Sequence, residues 1–331
     1  MTRTDTDAII IGGGVMGAST AFFLALRGWS VTLLESDFIG RKASGTNFGA
    51  VRRQGRALHQ LPLAGDDCEF VGRGQLRVGR AQEDVDRIVD YAKEASRFGL
   101  ELEILTGNAL RDRYPWLGAS VRGGTLAPTD GHANPRLTAP AFARAAVRNG
   151  ATVLEQTAAA KIERSGGRFE VFASDDRCFR ATVCVVTAGA WSGQFTHTFG
   201  EDIHLEIKGP QMTVTEPAPY FIEPSVSVLT QEPHDHVYFR QVTRGNILIG
   251  GPIHGPASIA TGLADVQPEI TLLQLERVGI LLPAIERLQV IRTWSGVESY
   301  TGDRQPVIGQ SPSIPGLFYA YGFSGAGFQL G

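Results

Sequence analysis

Cysteine is scarce: Cys68, Cys178 and Cys184 are the only three in 331 residues. No two of them stand in a C-x-x-C spacing, which excludes a disulfide framework or zinc ribbon and leaves buried thiols in a reducing compartment. The seven histidines are scattered, and the isolated His234-x-His236 lacks the companions that a metal site requires. Long apolar runs are missing, so no segment has the roughly 18 residues needed to span a bilayer. The chain passes straight from its N-terminus into a strand, which leaves no room for a signal peptide. An excess of positive charge is lacking as well: a net charge of −3 gives no electrostatic reason to bind nucleic acid. With 43% hydrophobic and 20% charged residues, the composition is that of a soluble globular protein large enough for one large or two medium domains. A cytoplasmic location is expected, with peripheral contact at an inner membrane left open.

Glycine, by contrast, is plentiful at 40 residues, and its first cluster organises the chain. The short apolar run Ala8-Ile9-Ile10-Ile11 ends in Gly12-x-Gly14-x-x-Gly17, and a helical pattern (Ala18, Ala21, Phe22, Leu24, Ala25) follows at once. In such a turn Gly12 permits the sharp reversal, Gly14 admits a pyrophosphate close to the backbone, and Gly17 lets helix and strand pack closely. The helix start at Val15 and Met16 offers free N–H groups and the positive end of the helix dipole. Gly28 closes the helix, residues 30–34 read as a second strand, and Glu35 at its end is placed to take the ribose hydroxyls of an adenosine. This is read as a dinucleotide site, the alternative being an ordinary βαβ unit with a glycine turn.

The segment 40–50, carrying Ser44, Gly45, Asn47 and Gly49, is too small and polar for a core element. It is either a solvated loop or a line of N–H and hydroxyl donors along a ligand. Residues 74–78 read as a strand and 82–98 as a helix. A turn at Pro135 leads into a further helix over 138–149. Residues 152–154 read as a strand, 158–162 as the edge that packs near adenine, and a hairpin follows, with 168–172 after the turn at Ser165-Gly166-Gly167. A second apolar run, 183–186, ends in Thr187-Ala188-Gly189-Ala190-Trp191-Ser192, small residues that let backbone approach a ligand. A plain buried strand with a glycine end is the alternative. From Leu205 to about Ile285 alternating strands follow (209–215, 237–241, 246–251), and a helix over 268–281 stops at Pro283.

Gly12-Gly13-Gly14-x-x-Gly17, Glu35 and Ala43-Ser44-Gly45, in this order, resemble the N-terminal half of the D-amino-acid oxidase superfamily of FAD enzymes. Glycine oxidase, sarcosine oxidase and the amine-oxidising subunits of opine oxidase, D-hydroxyproline dehydrogenase and hydrogen cyanide synthase belong to it. The 183–192 stretch is similar to the family's second FAD-contacting turn, and 322–329 to its C-terminal glycine turn. The wording of 209–216 and 237–241 is most similar to the opine oxidase and hydrogen cyanide synthase subunits. The resemblance implies an α/β fold, with a discontinuous Rossmann-like FAD-binding domain over 1–64, 136–204 and 286–331. It implies an antiparallel-sheet substrate domain over 65–135 and 205–285. Non-covalent FAD is then expected at Gly12, Gly14, Val15, Met16, Gly17, Glu35, Ser44, Gly45, Asn47, Gly49, Ala159, Ala188, Gly189, Trp191, Gly325, Gly327, Phe328 and Gln329. A partner subunit of a hetero-oligomeric dehydrogenase is implied as well. Three departures stand out: the pattern over 57–64 is shorter than the helix of relatives, Ala326 replaces their histidine, and they continue beyond the position of Gly331. A fragment or a weakened flavin site is therefore left open.

The activity implied is oxidation of the C–N bond of a small amino acid or secondary amine (D-amino acid, glycine, D-hydroxyproline or opine type) to an imine. The flavin carries the electronic work, and the protein must supply a cation for a substrate carboxylate and a polar partner for the amine. Arg240 is the first carboxylate candidate, because Tyr238 shares its face of the strand and a guanidinium suits a planar carboxylate. A strand-surface charge is the alternative for it. Arg52 is the second, since relatives use a basic residue near this point. Glu298 stands where glycine oxidase has its carboxylate-binding arginine and covalent-flavin sarcosine oxidases their attaching cysteine. That implies a non-covalent flavin, and a glutamate that meets a cationic amine or guanidinium. Three other readings remain: an oxidase using oxygen, a non-catalytic flavin-binding subunit, and an NAD-dependent dehydrogenase. The last leaves the Ser44-Gly45 loop and the C-terminal glycine turn without a role.

Overall fold

The computed structural model describes residues 3–52 and 72–330. The expected short helix over 57–64, together with Cys68, lies outside the described residues.

A six-stranded sheet runs in the order Val307–Gln310, Leu317–Tyr321, Val183–Val186, Ala8–Ile11, Val31–Leu34, Thr152–Leu154. All its pairings are parallel except that of Val307–Gln310, which lies antiparallel on Leu317–Tyr321. Ala8–Ile11 sits in the middle and is buried throughout, as expected of a strand covered on both faces. Ile10 faces the helices Val15–Leu26 and Pro135–Arg148, where Ala18, Ala21, Ala139, Ala143 and Ala146 let the two helices approach. Ile9 and Ile11 point the other way, against Ile162, Phe169, Val171 and Phe179 of a four-stranded sheet. The second helix begins three residues before the expected 138. Pro135 occupies its first turn, and Asn134 Oδ1 accepts from Arg136 N at 3.1 Å.

The second sheet has nine strands. Eight run in the order Val290–Ser295, Glu206–Pro217, Asn246–Gly255, Tyr238–Gln241, Ser225–Leu229, Gln75–Gly79, Gly123–Ala127, Glu103–Thr106, and Glu298–Tyr300 pairs with the start of Glu206–Pro217. Gln75–Gly79 and Ser225–Leu229 pair in parallel, joining two otherwise antiparallel halves. Leu76, Val78, Val226, Val228 and Phe239 pack with Leu110, Val278 and Leu281 on one face. Their alternation partners Gln75, Arg77, Ser225, Ser227 and Tyr238 form the polar opposite face, turned toward the parallel sheet. The expected division at 286 departs from this pairing. Val290–Ser295 and Glu298–Tyr300 join the second sheet, in register with Gln211–Thr215 and Glu206–Lys208. Pro283 does stop the helix Pro268–Leu281, but two strands still extend the sheet before the chain returns to the first one. Among the described residues, no helix is long and apolar enough to cross a membrane.

Candidate functional site

The Gly12 turn, the 43–49 loop, the 187–191 turn and the polar face of the second sheet enclose a cavity of about 680 Å³. At one end the backbone is bared. Gly12 adopts φ +105°, and a Cβ on it would stand 2.6 Å from the Thr187 carbonyl oxygen. Thr187 Oγ1 lies 2.9 Å from the Ile11 oxygen and 2.8 Å from the Gly12 oxygen, and fastens this turn with a single proton. Gly14 caps the first helix, and Ser44 Oγ accepts from Val15 N at 2.9 Å, which brings the 43–49 loop onto the helix start. Glu35 Oε2 accepts from Gly13 N at 2.6 Å and Oε1 from Asp37 N at 2.8 Å. A carboxylate has about four acceptor positions, so Glu35 keeps capacity for a hydroxyl on its cavity side. No acidic residue stands in the first turn of the helix, and Lys42 Nζ lies 5.8 Å from the Trp191 ring centroid on the cavity wall. Bare glycine backbone, a helix start, a nearby lysine and one acid at a strand end are the donor set for the phosphates and ribose of a dinucleotide. The residues present fit that group.

Most expected cofactor residues line the cavity: Gly12, Gly14, Val15, Met16, Glu35, Ser44, Asn47, Gly49, Ala159, Ala188, Gly189, Trp191, Gly325, Gly327 and Phe328. Gly17, Gly45 and Gln329 are not among its lining residues. A Cβ on Gly17 would lie 1.9 Å from the Gly12 oxygen, and one on Gly45 2.2 Å from the Gly40 oxygen, so these two glycines serve chain packing behind the wall. Gln329 Oε1 accepts from Arg52 N at 2.7 Å and anchors that backbone.

At the other end Arg52, Tyr238 and Glu298 come together on the wall. Burial pulls the Arg52 guanidinium below its usual range, with Asp130 and Tyr238 opposing. Burial, then the charge of Glu298, holds the Tyr238 phenol above its usual range. Burial also raises the Glu298 carboxyl, while the Tyr300 hydroxyl, donating to its Oε2 at 2.6 Å, works against that rise. The His254 ring lies 5.2 Å from that of Tyr300, and burial pulls its imidazole down to about 4.

Arg240 is placed differently from the expectation. It shares the strand with Tyr238, yet its Nε donates to the Phe48 oxygen at 2.8 Å and its Nη1 to His132 Nδ1 at 3.0 Å. It is buried and is not among the residues lining the cavity. Burial pulls His132 down to about 3, which keeps the ring neutral and able to accept from the guanidinium. The role of Arg240 is to peg Phe48, whose ring meets that of Tyr238 edge-on at 4.8 Å. Alternation identified the face, but the long side chain reaches past the cavity to a loop carbonyl and to His132.

Sequence reasoning missed Arg77 and His236 as wall residues. Arg77 could have been found from Gln75-x-Arg77, the polar half of an alternating strand.

The family described as FAD dependent oxidoreductase (DAO) matches residues 7–331. Glycine oxidase of Bacillus licheniformis is 26% identical over 352 residues, covering 99% of this chain and 90% of its own length. A subunit of the opine oxidase of Rhizobium meliloti is 25% identical over 339 residues, covering 95% of this chain and 87% of its own. The crystal structure of L-proline dehydrogenase from P. horikoshii superposes with a TM-score of 0.90 at 24% identity, over 99% of this chain and 91% of that one, a likeness of fold.

Proposed function

This chain belongs to the FAD-dependent oxidoreductase family, and we propose that it oxidises the C–N bond of a small amino acid or secondary amine to an imine. The observation that carries this reading is the continuity of one cavity, from the glycine cradle to the sheet face where Arg52, Tyr238 and Glu298 stand. The names of two relatives, a glycine oxidase and an opine oxidase, support the amine class.

The Gly12 turn, the start of the first helix, Ser44 and Glu35 hold the FAD. When bound, it supplies the two-electron acceptor for the C–H bond beside the nitrogen. Arg52 presents a guanidinium fork to the substrate carboxylate, and desolvation strengthens that pairing. Glu298 meets the amine, with Tyr300 fixing one of its oxygens. The rings of Phe48 and Tyr238 exclude water from the space beside them. The electrons leave to a partner chain or respiratory acceptor, in a cytoplasmic or peripheral setting. That the opine oxidase relative is one subunit of several supports a partner.

The test is an absorption spectrum of the purified protein, followed by anaerobic addition of glycine, D-proline, sarcosine and an opine. Bleaching of a flavin band by one of them supports the reading. A flavin that none of them bleaches sinks it in favour of a non-catalytic role. Hydrogen peroxide release in air separates an oxidase from a dehydrogenase.

A further inference from the structure

Trp294 stands behind the cavity wall, on the edge strand Val290–Ser295 of the second sheet. Its indole Nε1 donates to the Thr46 oxygen at 2.8 Å. The ring packs with Phe48, Met212 and Leu248, and the Arg136 and Arg292 guanidinium carbons lie 5.7 and 6.0 Å from its centroid. Two residues on, the backbone closes on the same loop residue: a Cβ on Gly296 would stand 2.0 Å from Thr46 Oγ1. Thr46 is thus gripped from behind by one side chain and one bare stretch of backbone.

The loop settles several of its other polar groups within itself or against Arg240. Asn47 Nδ2 donates to the Ala43 and Ser44 oxygens at 3.0 and 2.8 Å, and Gly49 N donates to Asn47 Oδ1 at 2.7 Å. The Phe48 oxygen takes Arg240 Nε. The Asn47 N–H, by contrast, has no partner among the described residues. In a trans peptide the N–H points opposite to the preceding C=O. The Thr46 carbonyl points back to Trp294, so the Asn47 N–H points forward, into the cavity that Thr46 and Asn47 line. Ser44, on the helix start, marks the phosphate end of that cavity, and Arg52 marks the substrate end. Residues 46–48 lie between them, where the flavin ring of a bound FAD, with its carbonyl and nitrogen acceptors, has to pass.

We propose that Trp294 is a positioning residue for the cofactor: through the Thr46–Asn47 peptide plane it aims the Asn47 N–H at an acceptor on the flavin ring. The proposal needs bound FAD but not the oxidation of an amine, so it stands or falls apart from the substrate reading.

The test is amide hydrogen exchange in protein isotopically labelled at asparagine, read by NMR without FAD and at saturating FAD. FAD is expected to slow exchange of the Asn47 amide about three- to tenfold, the scale of one hydrogen bond. Trp294→Phe keeps a ring in place but loses the donor. The slowing should then disappear, the flavin absorption band should shift, and the FAD Kd should rise about three- to tenfold. Trp294→His, whose ring keeps an N–H, restores part of the slowing. Gly296→Ala, which pushes on Thr46 without altering the indole, should reproduce the loss. Trp191→Phe is the comparison, because it removes the other indole bond joining the two halves of the structure, from Trp191 Nε1 to the Ile259 oxygen at 3.0 Å. It should leave the Asn47 slowing intact. A wild-type Asn47 amide that exchanges equally fast with and without FAD overturns the proposal. So does a Trp294→Phe protein that keeps the full slowing. Equal losses in Trp294→Phe and Trp191→Phe overturn it as well, because the indole then only holds the two halves together.

Discussion

Gly17→Ala tests whether the third glycine of the turn acts through packing alone. A Cβ at this position would stand 1.9 Å from the Gly12 oxygen and 2.7 Å from Thr187 Oγ1. An ordinary carbon–oxygen contact is about 3.3 Å, so helix and turn must part by about 1.4 Å. That movement pulls Ala18 and Ala21 off the alanines of the helix Pro135–Arg148. Overpacking of this kind costs about 1–3 kcal/mol. Alanine's better helix propensity returns at most about 1 kcal/mol, and less in the first turn. The expected net is a loss of about 1–2 kcal/mol in the apoprotein, read as a lower midpoint in urea. The N–H groups of Val15 and Met16 are displaced with the helix, so FAD affinity should fall by about tenfold or more. Gly14→Ala is the contrast: its Cβ would meet only the rotatable Ser44 hydroxyl, at 3.0 Å, but would enter the cavity. It should weaken FAD binding with the urea midpoint unchanged. A Gly17→Ala apoprotein with wild-type midpoint, and an FAD Kd within about twofold of wild type, refutes the packing argument.

Arg240→Met leaves the Phe48 oxygen and His132 Nδ1 without their donor, at about 1–3 kcal/mol for each orphaned acceptor. The urea midpoint should fall and KM rise through a loosened Phe48; an unchanged midpoint and KM refute the peg. Acid should destabilise the protein well above the carboxylate range. His132 is held at about 3, and His236 and His254 at about 4, against an ordinary 6.5. The unfolded chain takes up protons below about pH 6.5 that the folded one refuses, so stability present above that pH is lost as pH falls toward about 4. Thermal midpoints across that range should decline, and His132→Gln should make the decline shallower; identical slopes discount that histidine. The two described cysteines, Cys178 and Cys184, are buried and neither lines the cavity. FAD should therefore pass an ultrafiltration membrane after denaturation, and flavin retained with the polypeptide contradicts a non-covalent cofactor.

The cradle was legible in the sequence because its chemistry is local. Gly12, Gly14 and Glu35 lie within one βαβ unit, where spacing fixes position. Gly17, read there both as a packing glycine and as a cofactor residue, and Gly45 stand behind the cavity wall, because a glycine needed for close chain packing and one needed for close ligand approach read alike. Arg77 was hidden for another reason. Gln75-Leu76-Arg77-Val78 looks like a strand with one wet face, and only the sheet's position opposite the cradle turns that face inward. Glu298 stands out through resemblance alone, since nothing in its neighbours marks a buried acid. Arg240 shows the limit of alternation, which gives the face of a strand but not the reach of a side chain. The pairing of 290–295 and 298–300 with the second sheet was not legible, because Pro283 ends a helix without ending the sheet and strand pairing at a distance leaves no mark in composition.

The parallel pairing of Gln75–Gly79 with Ser225–Leu229 has a consequence for how the protein is made. As the chain leaves the ribosome, the early half of the second sheet must wait for some 150 further residues, the gap between Gln75 and Ser225, before its partner exists. The central strand Ala8–Ile11 waits longer still for Val183–Val186, and Leu317–Tyr321 must yet follow to widen that sheet. Contacts so distant along the chain form slowly and leave strand edges unpaired meanwhile. Neither sheet can be completed before the other is well advanced, so assembly is concerted and late. A nascent chain of this design depends on being shielded until its last strands are released.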